Sequence, residues 1–283
     1  MAKIIDGKEV SAFIKNKVKD EVEVLEQKGV EVGLAVIIVG NNPASRVYVS
    51  NKKKACEVTG IKSYEYALDE STSEDELLSL IDELNNDDKV DGILCQLPLP
   101  KHICESKVIE AISPDKDVDC FHAVNVGKLW LGDYVFSACT PMGVMLLLDY
   151  YGIDVQGKNC VIVGRSNIVG KPMAALLIEK SATVTVCHSK TKDLPSFTRN
   201  ADILISAVGK EKLITADMVK DGAVVVDVAI NRNAEGKLCG DVDFENVSEK
   251  ASYITPVPGG CGPMTIAVLM KNTVEAAKFH KVK

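Results

Sequence analysis

Tyr48 and Lys52 form the first pair of side chains whose types and spacing could do chemistry. They lie four residues apart in a segment with helical periodicity, so they share one face of a helix. A lysine with a lowered pKa can move a proton, and an aromatic ring can stack on a flat substrate. We expect partial burial and the neighbouring charges of Lys53 and Lys54 to lower the Lys52 pKa. The alternative is an ordinary helix face on which these side chains are solvated.

A second candidate is the segment Val161–Pro172, which joins a predicted strand to a helix and has Gly164 and Gly170 near its ends. The N-terminus of a helix after such a turn offers free N–H groups to a phosphate. The glycine spacing is neither that of a Walker loop nor G-x-G-x-x-G, and Pro172 stands where a Walker loop has its magnesium-binding hydroxyl. On this segment alone, dinucleotide binding and a tight structural turn both remain open.

The next predicted strand favours NADP over NAD. In an NAD site, a carboxylate at the end of this strand accepts a hydrogen bond from the ribose 2′-hydroxyl. Here the strand ends at Cys187, and the first carboxylate after it is Asp193. Arg165, Ser189 and Lys190 could instead hold a 2′-phosphate, for which the planar fork of arginine is well suited. Arg165 could also be a solvated turn residue.

The composition bounds the classes of function. The chain has 283 residues, 46% of them hydrophobic and 26% charged, which suits two ordinary globular domains. A net charge of −7 argues against nucleic-acid binding. The apolar runs are too short to cross a membrane, and the first residues lack the features of a secretory signal. The nine cysteines show no C-x-x-C spacing, so we expect neither a zinc site nor disulfides, and we expect a reducing cytoplasm.

Strands alternate with helices along the chain, which is typical of βαβ units and a parallel sheet. The predicted strands are 33–39, 91–96, 159–163, 183–187, 203–206 and 223–227. We predict a two-domain α/β fold. Residues 1–139 form an α/β substrate domain, completed by a C-terminal helix over 264–283, and residues 140–263 form a Rossmann-like parallel-sheet domain that binds the cofactor.

Local signals predict where several helices begin. Asn42-Pro43 and Thr140-Pro141 each read as an N-cap followed by a proline in the first turn. Ser73 with Glu76 has the spacing of a capping box. Pro263 is expected to open the last helix, which should pack back on the first domain.

Several short segments distributed over the chain form a further pattern. They are Ser45–Ala55, Asp91–Pro100, Pro114–Asp119, Cys139–Pro141, Gly164–Pro172, Cys187–Thr191 and Pro256–Thr265. In these residues and in their order, the chain resembles the bifunctional methylenetetrahydrofolate dehydrogenase/methenyltetrahydrofolate cyclohydrolase family. Each segment is weakly specific alone, but together they cover essentially the whole chain.

The resemblance implies an enzyme that oxidises 5,10-methylenetetrahydrofolate with NADP and then hydrolyses the methenyl product to 10-formyltetrahydrofolate. It implies a cleft between the two domains, a homodimer formed through the cofactor domains, and a folate substrate that carries polyglutamate. Neither a nucleic acid, a membrane nor a metal is expected as a partner.

The resemblance also assigns roles in the first domain. Lys52 would be the catalytic acid/base, Gln96 would tune it, and Tyr48 would stack on the aminobenzoyl group of the folate. Asp119 would grip the pterin, whose amino and N–H edge suits a carboxylate acceptor. Without the resemblance, Asp119 could equally be a loop carboxylate that makes turn contacts.

Further positions follow from the same resemblance. The cofactor-binding residues would be Thr140, Gly164, Arg165, Ser166, Val169, Gly170, Ser189 and Ile230. Besides Tyr48, Lys52, Gln96 and Asp119, the substrate-binding residues would be Leu97, Pro98, Pro258, Gly259 and Gly260. The last three would form a wall near the nicotinamide, with a cis bond possible at Pro258, although a plain interdomain turn is the alternative.

The chain departs from the family pattern at Cys95, Cys120 and Cys261, where Val, Gly and Val are more usual. Cys120 bears most on function, because a side chain beside Asp119 could alter the backbone or the pterin fit.

Three alternatives to this family fit the residues less well. The Tyr48–Lys52 spacing also occurs in short-chain dehydrogenases, but there the glycine loop precedes the tyrosine, the reverse of the order here. A single-activity dehydrogenase or cyclohydrolase on the same fold is an alternative closer to the family pattern. A non-catalytic NADP- or folate-binding protein is disfavoured, because Tyr48, Lys52, Gln96 and Asp119 are present together.

Overall fold

The computed structural model describes residues 1–282, which divide into two compact units. The six-stranded unit contains residues 1–11 and 140–265, and the three-stranded unit contains residues 12–139 together with residues 266–282. Mixed α/β architecture with parallel sheets confirms the predicted fold class.

The three-stranded unit has a parallel sheet in the order β3-β2-β4. Its strands are β2 (Gly33–Val39), β3 (Lys62–Leu68) and β4 (Gly92–Cys95). Every residue of β2 is buried, because both neighbouring strands and the surrounding apolar side chains cover it. The helices of this unit are α2 (Pro43–Thr59), α3 (Glu74–Asn85), α4 (Glu105–Ala111) and α5 (Ala123–Leu131).

The six-stranded unit has a sheet in the order β1-β11-β8-β7-β5-β6, in which all neighbouring strands are parallel. Its strands are β1 (Lys3–Ile4), β5 (Asn159–Val163), β6 (Thr183–Cys187), β7 (Ile203–Ser206), β8 (Val224–Asp227) and β11 (Tyr253–Ile254). A small antiparallel ribbon pairs β9 (Asn231–Arg232) with β10 (Leu238–Cys239). The helices of this unit are α6 (Cys139–Tyr150), α7 (Gly170–Glu179), α8 (Leu194–Thr198) and α9 (Phe244–Ser248).

Two long helices contribute to both units: α1 (Gly7–Gln27) and α10 (Cys261–Lys281). In the three-stranded unit, Asn272 of α10 donates from Nδ2 to the carbonyl oxygens of Val118 and Ser137, both at 2.9 Å. The C-terminal helix thus packs on the first domain, as the sequence predicted.

The N-terminal boundary differs from the prediction. Residues 1–11, predicted to belong to the first domain, lie in the six-stranded unit because β1 pairs in parallel with β11. A two-residue strand has no periodicity that a sequence could reveal.

The helix starts follow the predicted caps with small shifts. Asn42 Oδ1 accepts a hydrogen bond from the N–H of Ser45 at 3.2 Å, and α2 begins at Pro43. Ser73 and Glu76 form the predicted capping box. Thr140, predicted as an N-cap, instead lies inside α6, and α10 begins two residues before Pro263.

No helix within residues 1–282 is both long enough and apolar enough to cross a membrane.

Candidate active site

Lys52 is a buried lysine on α2, with 7% of its surface exposed. Its Nζ donates a hydrogen bond to Gln96 Oε1 at 2.9 Å. Tyr48 lies one turn earlier and is half-buried, and burial raises the pKa of its hydroxyl. The predicted helix face therefore exists, and it carries Lys52 into the interior rather than into solvent.

Gln96 directly follows β4, where its backbone N–H donates to the carbonyl oxygen of Ile37 at 2.8 Å. Its side-chain Nε2 donates to the carbonyl oxygen of Leu97 at 2.6 Å. This contact fixes the orientation of the amide, so Oε1 faces Lys52. Leu97 and Pro98 are joined by a cis peptide bond at the same place.

Burial lowers the pKa of Lys52, and the charge of Asp119 opposes that shift. Lys53 and Lys54 are exposed on the same helix and are not among the main causes of this shift. The predicted direction and the predicted effect of burial are therefore confirmed, whereas the expected effect of the neighbouring lysines is not. A lysine in this state supplies a neutral amine at a lower pH than a solvated lysine does.

Asp119 is partly exposed and close enough to Lys52 for each charge to affect the other. Burial raises the pKa of its carboxyl, while Lys52 and a hydrogen bond from the Cys139 thiol lower it. The carboxylate and the amine therefore influence each other's charge, while Gln96 accepts a hydrogen bond from the same amine.

The loop that carries Asp119 is held by a neighbouring carboxylate, Asp117. Asp117 Oδ2 accepts hydrogen bonds from the N–H of His122 at 2.8 Å and from Asn125 Nδ2 at 2.9 Å. Asp117 is only 3% exposed. Sequence reasoning did not single it out, and nothing but its place in the Pro114–Asp119 segment marked it.

Cys120 adopts a φ of +60°, a backbone conformation that glycine adopts more readily. Its thiol is buried and lies 3.6 Å from the carbonyl oxygen of Phe136. The backbone here thus keeps the left-handed conformation with a cysteine in place.

The glycine loop in the six-stranded unit is closely packed. At Gly164, where φ is +128°, an added Cβ would lie 2.4 Å from the carbonyl oxygen of Ala207. At Gly170, an added Cβ would lie 2.2 Å from the carbonyl oxygen of Gly164. Ser166 Oγ accepts hydrogen bonds from the N–H groups of Val169 and Gly170, at 3.1 and 3.4 Å. Only glycine fits both places, and α7 begins at Gly170.

This loop lies where an α/β sheet binds ligands. In the strand order, β6 lies on one side of β5 and β7 on the other, so the chain reverses its direction of winding at β5. Ligands of such sheets bind outside the carboxyl ends of the strands at this switch point. The loops after β5 and β7 meet there through the contact between Gly164 and Ala207. These features fit a dinucleotide.

The remaining predicted cofactor residues surround this edge of the sheet or lie elsewhere in the same unit. Arg165 and Ser189, after β5 and β6, are both exposed, as a 2′-phosphate site requires. Ile230 follows β8 and is 46% exposed. Its Cδ1 lies beside Gly262, where an added Cβ would be 3.6 Å away. Thr140 Oγ1 is 2.9 Å from Thr265 Oγ1.

Pro258, Gly259 and Gly260 follow β11 in the six-stranded unit. The Val257–Pro258 bond is cis, and Gly259 has a φ of +111°. A Cβ on Gly7 would lie 1.7 Å from the carbonyl oxygen of Gly260, so this turn packs directly on the start of α1.

The six-stranded unit has a crevice of the dinucleotide-binding type, and the three-stranded unit has a buried lysine near a carboxylate. These are the features of a nucleotide-dependent α/β enzyme that also transfers protons. Two family models match the chain. The catalytic domain of tetrahydrofolate dehydrogenase/cyclohydrolase matches residues 5–119, and the NAD(P)-binding domain of the same family matches residues 138–281. The chain belongs to the tetrahydrofolate dehydrogenase/cyclohydrolase family.

Individual relatives agree with this assignment. A bifunctional protein FolD from Agathobacter rectalis is 63% identical over 98% of this chain and 100% of its own length. The crystal structure of the bifunctional dehydrogenase/cyclohydrolase from Campylobacter jejuni has a TM-score of 0.97 at 57% identity, covering 99% of both chains. The Trypanosoma brucei enzyme complexed with NADP and an inhibitor has a TM-score of 0.95 at 37% identity, covering 100% of this chain and 99% of its own.

The chain is accordingly a methylenetetrahydrofolate dehydrogenase and methenyltetrahydrofolate cyclohydrolase with NADP as its cofactor, active in folate-dependent one-carbon metabolism. The short-chain dehydrogenase and non-catalytic alternatives are excluded.

Proposed function

We propose that Lys52 is the general base of the cyclohydrolase step. The observation that carries this proposal is the burial of its amine together with the hydrogen bond to Gln96 Oε1. Water adds to the cationic amidine carbon of methenyltetrahydrofolate, and a proton must leave that water. A lysine whose pKa is lowered by burial can accept this proton, and the nearby Asp119 stabilises the ammonium that results.

Gln96 acts in this scheme by orienting Lys52. Its amide is fixed by the hydrogen bond to the carbonyl oxygen of Leu97, so one N–H of the lysine is always directed to Oε1. The lone pair of the neutral amine is then directed elsewhere, towards the substrate and its water. Such fixed geometry accounts for a large part of the advantage of a positioned base.

The folate is proposed to lie along the same side chains. Tyr48 stacks on the aminobenzoyl ring, which adds about 0.5–1.5 kcal/mol beyond the burial of area. Asp119 accepts hydrogen bonds from the amino and N–H edge of the pterin. Leu97 and Pro98 complete this part of the site, and in the six-stranded unit Pro258, Gly259 and Gly260 provide a backbone wall near the nicotinamide.

The dehydrogenase step needs alignment and not a base. When bound, NADP supplies a nicotinamide that accepts the hydride from the methylene carbon. Gly164, Ser166, Val169 and Gly170 would receive the dinucleotide backbone, and Thr140 and Ile230 would contact its remaining parts. Arg165 and Ser189 would hold the 2′-phosphate, since both are exposed at the carboxyl ends of neighbouring strands.

The proposal extends to the setting of the enzyme. It works in the cytoplasm on polyglutamylated folate, as a homodimer formed through the six-stranded units, and supplies one-carbon groups for purine and amino-acid biosynthesis. Sedimentation equilibrium tests the dimer, and a comparison of mono- and pentaglutamyl substrates tests the substrate form.

The experiment that tests the role of Lys52 is the Lys52→Met variant. Methionine keeps much of the apolar stem and removes the amine, so folate binding should largely survive. We expect cyclohydrolase activity to fall by ~10²–10⁴, the usual contribution of a general acid/base. Dehydrogenase activity should fall less, so that methenyltetrahydrofolate accumulates.

Lys53→Met is the matched control, because Lys53 is exposed on the same helix. It should retain both activities. Near-normal hydrolysis of added methenyltetrahydrofolate by Lys52→Met would show that another group is the base, and Lys54 would be tested next.

A further inference from the structure

The carboxylate of Asp241 is completely buried in the six-stranded unit, outside every residue assigned above. It is surrounded by five donors, two on Oδ2 and three on Oδ1. Those on Oδ2 are Ser206 Oγ at 2.9 Å and the N–H of Val208 at 2.8 Å. Those on Oδ1 are the N–H groups of Gly209 at 3.0 Å and Lys210 at 2.7 Å, and Asn231 Nδ2 at 3.1 Å.

Four of these donors belong to one segment, residues 206–210, which consists of the last residue of β7 and the four residues after it and is here called the β7 loop. Three consecutive backbone N–H groups converge on a single carboxylate, an arrangement that favours a negative charge. A buried carboxylate without such donors would be strongly disfavoured. The conformation of the β7 loop and the burial of Asp241 therefore depend on each other.

The β7 loop is also one side of the switch-point crevice. Its Ala207 carbonyl oxygen makes the close approach to Gly164 that leaves no room for a Cβ there. A displacement of the β7 loop would therefore change the space beside the glycine loop directly.

Asp241 reaches a third segment of the same edge through Asn231, which follows Ile230. Asn231 Nδ2 donates to Asp241, and Asn231 Oδ1 would lie 3.7 Å from a Cβ on Gly209. One side chain thus joins the loop after β7 to the segment after β8.

We propose that Asp241 is a positioning residue for the dinucleotide. Its carboxylate holds the β7 loop against the glycine loop and so sets the shape of the crevice, without touching the cofactor itself. This inference rests on the proposed cofactor site at the carboxyl ends of β5 and β7.

The test is the variant Asp241→Asn. An amide has one acceptor oxygen and places two donors among the N–H groups of the β7 loop, so the loop cannot keep all its hydrogen bonds. We expect the Kd for NADP, measured by calorimetric titration, and the KM for NADP each to rise by roughly 10-fold or more, in line with the loss of hydrogen bonds to a charged group. The kcat at saturating NADP should change little. Hydrolysis of added methenyltetrahydrofolate without NADP should stay within about twofold of the parent, because that chemistry is assigned to the other unit.

Asp243→Asn is the matched control. Asp243 lies two residues further along, and its Oδ2 accepts a hydrogen bond from Asn246 Nδ2, not from the β7 loop. It should leave NADP affinity unchanged. Ser206→Ala removes one of the five donors and keeps the carboxylate, so its effect on NADP affinity should be smaller, about two- to fivefold.

An NADP Kd for Asp241→Asn within twofold of the parent overturns the inference. If that variant also loses cyclohydrolase activity, Ser206→Ala decides: weaker NADP binding with intact hydrolysis supports the inference, and unchanged binding overturns it. Arg165→Ala separates this result from a failure of the proposed cofactor site. If Arg165→Ala weakens NADP and Asp241→Asn does not, only the positioning role of Asp241 is wrong. If neither does, the cofactor site itself is misplaced.

Discussion

Replacing Gln96 by glutamate tests the electrostatics of Lys52, the proposed base, with almost no change of shape. Gln96 Oε1 lies 2.9 Å from Lys52 Nζ, so a carboxylate oxygen would take the same place. Burial lowers the pKa of Lys52, and Asp119 raises it. A second carboxylate beside the amine would add to the effect of Asp119, and Lys52 would become harder to deprotonate.

The size of this effect follows from Coulomb's law. Two unit charges about 4 Å apart interact by about 4 kcal/mol at an effective dielectric constant of about 20. Since one pKa unit corresponds to about 1.4 kcal/mol, the Lys52 pKa should rise by roughly 2–3 units. Each unit reduces the neutral amine about tenfold at neutral pH, so Gln96→Glu should lower cyclohydrolase activity there by about 10²–10³.

The assay is the pH–rate profile of methenyltetrahydrofolate hydrolysis, corrected for the uncatalysed reaction. The sign is fixed by the chemistry: the base form is the neutral amine, so activity is lost below the Lys52 pKa and returns as pH rises through it. The Gln96→Glu profile should therefore move to higher pH. Gln96→Met, which removes the acceptor without adding charge, should not move the profile upwards. A Gln96→Glu profile that coincides with the parent would refute the assignment of Lys52 as the titrating base.

Three further substitutions test separate parts of the site. Arg165→Ala should weaken NADP by about 1.5–3 kcal/mol and NAD far less, because only NADP offers a 2′-phosphate, and equal losses in cofactor titrations would refute that contact. Asp119→Asn should raise the folate KM in both reactions and leave the NADP Kd intact, and unchanged folate kinetics would place the pterin elsewhere. Cys120→Ala should be less stable to urea than Cys120→Gly by about 1 kcal/mol, because only glycine adopts a φ of +60° without strain. Equal stability of the two variants would contradict this reasoning.

The parts of the fold that the sequence predicts well are those with strong local causes. The capping box of Ser73 and Glu76 fixes the start of α3, and Asn42 fixes the start of α2. The continuous apolar run of β2 matches a strand that is buried on both faces. In each case the signal lies within a few residues of the element that it predicts.

The elements that escaped prediction lack such signals. β3 (Lys62–Leu68) lies at the edge of its sheet, and its residues are exposed or only partly buried, so no apolar run marks it. β1 and β11 have two residues each; β11 pairs with β8 on one side, and on its other side it pairs with β1 from the opposite end of the chain. The pairing of β1 with β11 places residues 1–11 in the six-stranded unit. It is a tertiary contact that no local sequence pattern predicts.

The candidate site likewise combines features that local sequence predicts with contacts that it does not predict. Tyr48 and Lys52 are close in sequence, so helical spacing alone places them on one face. The contact of Lys52 with Gln96 spans 44 residues, and it was predicted from the family pattern and not from spacing. Asp241 is 35 residues from Ser206, and no local pattern connects the two. A carboxylate that acts by holding a distant loop becomes visible only when its hydrogen bonds are seen.

The buried and partly buried carboxylates of this chain differ in what satisfies them, and that difference indicates what each does. Asp117 and Asp241 accept hydrogen bonds from neighbouring protein N–H groups, and both are almost fully buried. Asp119 is more exposed, and the charge of Lys52 and the Cys139 thiol lower the pKa of its carboxyl. Because a carboxylate can accept about four hydrogen bonds, Asp119 retains acceptor sites for two donors on the edge of a ligand. Asp241 accepts five hydrogen bonds from the protein, and Asp117 accepts two while it is almost fully buried, so both are suited to hold loops in place, and Asp119 is suited to bind.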